Sequence, residues 1–195
     1  MSKSVEFYYD YGSPASYLAW TQMPALCKRH GADLIYHPIL VGGLFKTIGS
    51  ATPAEIPAKR VWFFDDMERH AARYGVRFQQ NPHFILNTLP LMRGAIWAER
   101  EGCLEAYNQA MFEACWADAR NMNDPAEIMA TLKEGGFDAE MVASTIQEPE
   151  VKQALIQATQ TAVDRGAFGV PTIFVADQMH FGQDRLDFVE QALAA

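Results

Sequence analysis

The alternation of apolar and polar positions predicts β-strands only near the two ends of the chain. Residues 5–9 and 34–40 are apolar and aromatic with partial alternation, and a helical pattern over residues 14–30 lies between them. Near the other end, residues 172–175 form an apolar run, and a turn at 176–178 leads into a short antiparallel strand at 179–181. A last helix is predicted over residues 185–194. The two ends therefore predict an α/β sheet domain.

The middle of the chain has no strand pattern. Glycines at 42, 43 and 49 and prolines at 53 and 57 indicate a loop, and helical patterns follow over residues 61–74, 88–101, 103–118, 125–134 and 138–146. Another helix is predicted over about residues 149–165. We therefore expect one α/β domain formed by residues 1–41 and 148–195, with residues 42–147 as an all-helical insertion.

Two short segments carry the candidate chemistry. In the first, residues 10–16, Ser13 is placed as the N-cap of a helix and Pro14 at its first position. In the second, residues 169–175, Pro171 opens a strand. A strand, a small-residue turn into a helix and a remote strand-opening proline resemble thioredoxin-like folds, whose redox members have Cys-x-x-Cys at the turn. Here Ser13 and Ser16 take those positions, so the pattern excludes dithiol redox chemistry.

Composition narrows the class of protein. The chain has 195 residues, 49% of them hydrophobic, and a net charge of −8, which argues against binding to a nucleic-acid backbone. No apolar run is long enough to span a membrane, and the N-terminal residues lack the apolar region of a secretory signal, so we expect a cytoplasmic protein. Cys27, Cys103 and Cys115 have no paired spacing and are expected to be reduced. The five histidines show no metal-ligand spacing.

These segments, together with residues 181–186 (Phe-Gly-Gln-Asp-Arg-Leu), resemble the family of 2-hydroxychromene-2-carboxylate isomerases and kappa-class glutathione transferases. This family belongs to the DsbA-like branch of thioredoxin folds. The resemblance covers essentially the whole chain, and the segment from Tyr9 to Ala19 is its most specific part. Residues 17–19 and 57–60 resemble the isomerase branch more closely. The resemblance implies an α/β thioredoxin-like fold with a large helical insertion, and a homodimer.

Ser13 is the candidate catalytic residue. At a helix N-terminus its hydroxyl can accept a backbone hydrogen bond and still donate one to an anion, although a pure capping role is the alternative. The resemblance implies that Ser13 stabilises the thiolate of bound glutathione, and that Ser16 is structural. It also implies a cis bond before Pro171, with the backbone of Val170 pairing with the cysteinyl part of glutathione; a trans proline that merely opens the strand is the alternative.

The remaining glutathione contacts are implied by the resemblance alone. Gln183 and Asp184 correspond to the residue pair that holds the γ-glutamyl end, and Asp184 could also cap the last helix. Lys59 corresponds to a lysine that faces a glutathione carboxylate, with a solvated surface lysine as the alternative. Ser50 stands where kappa-class enzymes have a contacting asparagine, and this departure puts that contact in doubt.

Candidates for the second substrate surround the start of a helix. Asn87 stands in a Leu-Asn-Thr context like one near the isomerase active site, and Arg93 suits a substrate carboxylate, with a surface salt bridge as the alternative. Aromatic side chains that could wall a pocket, although core packing is expected for at least half of them, are Trp62, Phe63, Phe64 and Phe168.

The sequence therefore predicts a glutathione-dependent isomerase of a small aromatic carboxylate of the 2-hydroxychromene-2-carboxylate type, with glutathione as a cofactor that is not consumed. The alternatives are a kappa-like glutathione transferase and a non-catalytic thioredoxin-like module that binds peptides.

Overall fold

The computed structural model describes residues 3–194 and contains a four-stranded mixed sheet in the order β2-β1-β3-β4. The strands are β1 (Ser4–Tyr9), β2 (Asp33–Pro38), β3 (Thr172–Val175) and β4 (Gln178–Phe181). β1 runs parallel to β2 and antiparallel to β3, and β3 pairs antiparallel with β4. The α-helices of the described residues are α1 (Pro14–His30), α2 (Val41–Ile48), α3 (Pro57–Tyr74), α4 (Leu89–Arg100), α5 (Leu104–Trp116), α6 (Pro125–Glu134), α7 (Ala139–Thr145), α8 (Pro149–Asp164) and α9 (Leu186–Ala194).

Local signals set the bounds of the first helix. The side chain of Ser13 caps α1 by accepting from the backbone N–H of Ser16, and Pro14 occupies the first helical position. Gly31 ends the helix in the left-handed conformation with φ 62°. The predicted bounds of this helix are therefore confirmed at both ends, which places Ser13 at the N-terminus of a helix of 17 residues.

The sheet carries a hydrophobic core on each face. On one face, Phe7 and Tyr9 of β1 pack with Leu18 of α1 and with Phe112 and Trp116 of α5. On the other face, Tyr8 and Phe174 pack with Leu44 of α2 and with Val170, the residue before β3. The helical segments between β2 and β3 therefore contribute to both cores, and the end of the sheet that carries Val170 is held between them.

The predicted loop over residues 42–57 is wrong in its first part, where α2 forms. Glycines at 42 and 43 disfavour a helix by local propensity. Tertiary packing overrides this, because Leu44 is fully buried against the second face of the sheet and the backbone N–H of Leu40 donates to the Thr159 hydroxyl at 3.0 Å.

The last helix also begins differently from the prediction. Residues Gln183–Arg185 form a short 3-10 helix, and α9 starts at Leu186. The Asp184 carboxylate pairs with Arg185 and makes no hydrogen bond that caps a helix among the described residues. The predicted capping role of Asp184 is therefore wrong, which leaves its carboxylate at the surface. None of the helices in residues 3–194 is long and apolar enough to cross a membrane.

Candidate active site

The structure brings Ser13 and Val170 together. The Ser13 hydroxyl accepts from the Ser16 backbone N–H at 3.1 Å and donates toward the Val170 carbonyl oxygen at 3.4 Å. The bond between Val170 and Pro171 is cis, as the resemblance implied. A hydroxyl at the positive end of a helix thus lies beside the bend that precedes a cis-proline and the start of β3.

A second contact joins the cis-proline to the segment before α9. The Gly182 backbone N–H donates to the Pro171 carbonyl oxygen at 3.0 Å, so Gln183 and Asp184 follow directly from the end of the sheet that holds Val170. The Tyr74 hydroxyl donates to the Gln183 carbonyl at 2.6 Å and fixes this turn against the end of α3. Five of the predicted residues therefore lie along one connected run of backbone and side-chain contacts: Ser13, Val170, Pro171, Gln183 and Asp184.

Asp184 lines a cavity of about 270 Å³ between α1, α9 and the end of α3. Arg73 and Arg29 line the same cavity, as do the acidic side chains of Asp187 and Glu190. Groups of both signs therefore surround this space, which suits a ligand that carries an ammonium and a carboxylate group together.

Asp10 organises the turn that presents Ser13, and the sequence interpretation missed it. Its carboxylate is fully buried and accepts from the backbone N–H groups of Gly12 at 2.8 Å and Val41 at 2.9 Å, and from the Thr88 hydroxyl. Burial raises the pKa of Asp10, and these hydrogen bonds oppose the rise. The available signal was an Asp-x-Gly turn directly after a strand, where an aspartate commonly accepts from the backbone two residues on.

The helical segments hold the same turn from the other side. The indole N–H of Trp116 donates to the Tyr11 carbonyl at 2.7 Å, and the hydroxyls of Tyr9 and Tyr11 both donate to the Asn108 Oδ1 at 2.6 Å. All four side chains are buried. These buried hydrogen bonds hold the turn that ends at Ser13 against α5.

The start of α4 lies next to this turn. A Cβ atom added to Gly12 would lie 3.0 Å from the methyl group of Thr88, so a larger residue would require Thr88 to shift by a few tenths of an ångström. Asn87 is exposed; its side-chain oxygen accepts from the Leu89 N–H at 3.4 Å, and its own N–H donates to the Asn123 Oδ1 at 2.7 Å. Asn87 is therefore one residue from a side chain that contacts the Ser13 turn.

Three predicted residues lie elsewhere. Ser50 and Lys59 are exposed, after α2 and in the first turn of α3, and neither is hydrogen-bonded to Ser13, Val170 or Asp184 within residues 3–194. Arg93 lines a second cavity, between α2, α4 and α8, which Ser13 does not line. Their predicted contacts with glutathione and substrate stay predictions.

The aromatic candidates divide between the core and the surface. Phe64 is buried and Phe63 packs against the same core, whereas Trp62 is 61% exposed. Phe168 is 46% exposed and its ring lies 4.6 Å from that of Phe181. This pair lies within two residues of Val170 and one residue of Gly182, so it forms an apolar surface beside the cis-proline.

The chain offers no activated thiol of its own. Cys27, Cys103 and Cys115 are unpaired. Burial raises the pKa of the Cys27 thiol to about 11, and it also raises the pKa values of Cys103 and Cys115. Residues 3–194 also hold no cluster of three or more side chains that could bind a metal ion. None of these cysteines therefore has the lowered pKa of a reactive thiol.

Comparison with known proteins agrees with this architecture. Residues 4–194 match the model of the DSBA-like thioredoxin domain. A 2-hydroxychromene-2-carboxylate isomerase of Sphingobium xenophagum is 31% identical over 99% of this chain and 99% of its own length. Glutathione S-transferase kappa 1 of Homo sapiens is 27% identical over 99% of this chain and 92% of its own length.

A solved structure of a 2-hydroxychromene-2-carboxylate isomerase superposes with a TM-score of 0.88 at 25% identity and covers 98% of this chain and 94% of that chain. The predicted thioredoxin-like fold of the DsbA type is thereby confirmed. The chain belongs to the DSBA-like thioredoxin-domain family, within the group formed by 2-hydroxychromene-2-carboxylate isomerases and kappa-class glutathione transferases.

Proposed function

We propose that this protein is a glutathione-dependent isomerase of a small aromatic carboxylate, of the type that converts 2-hydroxychromene-2-carboxylate to trans-o-hydroxybenzylidenepyruvate. The observation that carries the proposal is the contact between the Ser13 hydroxyl and the Val170 carbonyl at the N-terminus of α1. This contact supports the proposal because it joins a hydroxyl donor at a helix N-terminus to the backbone that precedes the cis-proline. Bound glutathione supplies the nucleophilic sulfur that the chain's own cysteines lack.

Ser13 stabilises the thiolate in this proposal. Its oxygen accepts from the Ser16 N–H, and its single proton, which makes only a long contact of 3.4 Å with the Val170 carbonyl oxygen, can turn to a bound anion instead. The positive end of the α1 dipole adds to this donor, since anions are favoured at a helix N-terminus. Both effects lower the pKa of a thiol bound there, because each favours the charged form.

The other predicted site residues contact different parts of glutathione. Val170 pairs with the cysteinyl residue as an added strand would, beside Pro171. Gln183 and Asp184 hold the γ-glutamyl end, with Asp184 facing the ammonium group and the arginines of its cavity close to the carboxylate. Lys59, whose side chain is exposed, faces a glutathione carboxylate, and the exposed Ser50 stands where kappa-class enzymes have a contacting asparagine.

The second substrate lies against the exposed pair of Phe168 and Phe181, since aromatic rings stack favourably on one another. Asn87 and Arg93 supply its polar contacts, from the start of α4 and the following turn. Orientation of the substrate against a preformed thiolate is then the main contribution of the protein to the rate.

Limiting glutathione tests the proposal against its nearest alternative. A kappa-like glutathione transferase consumes one thiol for each product, and the Homo sapiens relative makes this the leading alternative. The purified protein is incubated with 2-hydroxychromene-2-carboxylate and glutathione at one-hundredth of the substrate concentration. Many turnovers without loss of free thiol support the isomerase, whereas turnover that stops when the thiol is spent supports the transferase.

A non-catalytic peptide-binding module is the remaining alternative, and the turnover assay together with a measurement of glutathione binding tests it. In that case glutathione binds, but no turnover occurs with any aromatic substrate, and the Ser13→Ala variant binds glutathione as tightly as the wild type.

A further inference from the structure

A second cavity lies between α2, α4 and α8 and has no part in the glutathione site. Its volume is about 140 Å³, and Ser13, Val170 and Asp184 are not among the described residues that line it. Leu40 and Leu155 form an apolar wall, and Ile156, which is 61% exposed, lies at its mouth. A cavity of about 150 Å³ accommodates a benzene ring, so this space fits one ring or a branched chain of similar size.

Two cationic side chains line this cavity without a partner. The Nε atom of Arg93 is buried and makes no hydrogen bond. Within residues 3–194, neither Arg93 nor Lys152 forms an ion pair, and no aspartate or glutamate lines the cavity. A buried polar atom of a charged group that has no partner costs free energy, and a ligand that supplies an acceptor removes that cost.

The charge of this lining is opposite to the net charge of the chain. Lysine and arginine together number 16, whereas aspartate and glutamate number 24. Arg29, Arg77 and Arg120 all pair with carboxylates. Against that background, a cavity with two unpaired cations and no acidic group is an anion-binding environment.

We propose that this cavity binds a carboxylate attached to an apolar body of about one ring. The guanidinium of Arg93 takes the carboxylate, because its planar group of N–H donors matches two carboxylate oxygens, and Lys152 adds a second positive charge. The leucine side chains contact the apolar part of the ligand next to the carboxylate.

Such a ligand has two possible sources, and the cavity is connected to the turn that presents Ser13. Leu40, in its wall, precedes Val41, whose N–H donates to the Asp10 carboxylate that also holds Gly12. The ligand is either the carboxylate end of the second substrate or a separate small carboxylate that acts on the Ser13 turn through α2. The binding site itself does not depend on the proposed isomerase activity, because it can be measured without glutathione.

Calorimetric titration of the full-length protein with benzoate, and with benzyl alcohol as its neutral analogue, tests the site. We expect benzoate to bind, and the Arg93→Gln variant to bind it about tenfold more weakly, the cost of a lost charge-assisted hydrogen bond. Lys152→Gln should weaken it by a smaller factor, and Arg93→Lys should retain part of the affinity. Lys28→Gln removes a charge from the exposed side of α1 and should leave the affinity unchanged.

Benzyl alcohol distinguishes lost charge from lost structure, since its affinity should be the same for Arg93→Gln and the wild type. Inhibition by benzoate that is competitive with the aromatic substrate identifies the substrate as the ligand. A change in kcat at unchanged KM identifies a separate effector. The proposal is overturned if benzoate does not bind at millimolar concentration, or if Arg93→Gln and Lys152→Gln bind it as tightly as the wild type.

Discussion

The Ser13 hydroxyl and the Val170 carbonyl oxygen lie 3.4 Å apart, although 157 residues separate them in the chain. A hydroxyl has one proton, so Ser13 can donate to Val170 or to a bound anion, but not fully to both. The length of 3.4 Å indicates a weak bond that a ligand can replace. In the proposed function, a bound thiolate takes this proton and the released Val170 carbonyl accepts from the backbone N–H of glutathione, so the proposal couples anion stabilisation to peptide binding.

The first prediction concerns the Ser13 hydroxyl. Ser13→Ala removes the donor to the thiolate, and we expect kcat to fall by tenfold to a hundredfold, about 1.5–3 kcal/mol for a hydrogen bond to a charged group. The loss should be largest near neutral pH and smaller at high pH, where the thiol ionises without help. Stopped-flow measurement of thiolate absorbance against pH checks this, since the pKa of bound glutathione should rise in the variant.

Two further variants separate this role from capping. Ser13→Ala also removes the cap and should lower the unfolding free energy by about 1 kcal/mol, whereas Ser13→Gly should cost only a few tenths and lose the same activity. Ser16→Ala is the matched control, because the buried Ser16 hydroxyl has no hydrogen-bond partner. If Ser13→Gly retained wild-type activity, Ser13 would be a cap and nothing more.

The second prediction concerns Asp10. In the wild type, one carboxylate oxygen of Asp10 accepts from the Gly12 N–H and the other accepts from the Val41 N–H. Asp10→Asn replaces one of these oxygens with an NH₂ group, which would face an N–H donor. Since burial raises the pKa of Asp10, the neutral amide avoids the cost of a buried charge, but it cannot accept the second bond. We expect a net loss of about 1–3 kcal/mol in unfolding free energy and a lower kcat.

Urea unfolding and steady-state kinetics check this prediction. Asp65→Asn, on the exposed side of α3, is the control and should change stability by no more than about 0.5 kcal/mol. Equal stability of Asp10→Asn and wild type would show that the Ser13 turn does not depend on this carboxylate.

The contrast between Ser13 and Asp10 shows what the sequence can predict. The cap at Ser13, the proline at 14 and the glycine at 31 act within one helix, so their pattern predicted α1 at both ends. The function of Asp10 depends on Val41 and Thr88, and that of Trp116 on Tyr11, which is 105 residues away. Residue spacing along one chain carries no signal for contacts of that kind, and the same reason explains why α2 was missed.

The third prediction concerns acid stability at the second face of the sheet. Glu6 of β1 accepts from Arg165 at 2.6 Å and lies 3.1 Å from His37. Burial would raise the pKa of Glu6, but the hydrogen bond and charge of Arg165 together hold it below 4.5. Burial lowers the pKa of His37 below 6.5 despite the nearby carboxylate. Protonation of His37 and protonation of Glu6 therefore destabilise the fold in different ranges of pH.

The direction in which the unfolding free energy changes with pH follows from proton uptake by the folded and unfolded chains. As pH falls below 6.5, the unfolded chain binds a proton at His37 before the folded chain does, so the free energy of unfolding decreases. Glu6 adds a further decrease below pH 4.5, since its folded form holds the proton less readily than the unfolded chain. Unfolding by urea at pH 7.5 and at pH 5.5 should show lower stability at pH 5.5, and the difference should shrink in His37→Gln. His180→Gln is a comparison variant, because burial also lowers the pKa of His180. An unchanged difference in His37→Gln would contradict the assignment.

The last prediction concerns the packing of α4 on α5 at Gly94. A Cβ atom added there would lie 2.0 Å from the Tyr107 hydroxyl oxygen and 2.6 Å from the ring carbon that carries it. Tyr107 is buried and its hydroxyl donates to the Leu91 carbonyl at 3.1 Å, so the ring cannot move aside without losing that bond.

In an ordinary helix, replacing glycine with alanine stabilises the protein by about 1 kcal/mol. Here we expect Gly94→Ala to destabilise by about 1–3 kcal/mol, as overpacking does. Gly42→Ala in α2 is the matched control, since its added Cβ would meet no other side chain or packed segment within 4 Å, and it should be neutral or slightly stabilising. Thermal and urea unfolding of the two variants show directly whether each substitution raises or lowers the free energy of unfolding. A stabilising Gly94→Ala would mean that α4 and α5 are not in close contact at this point.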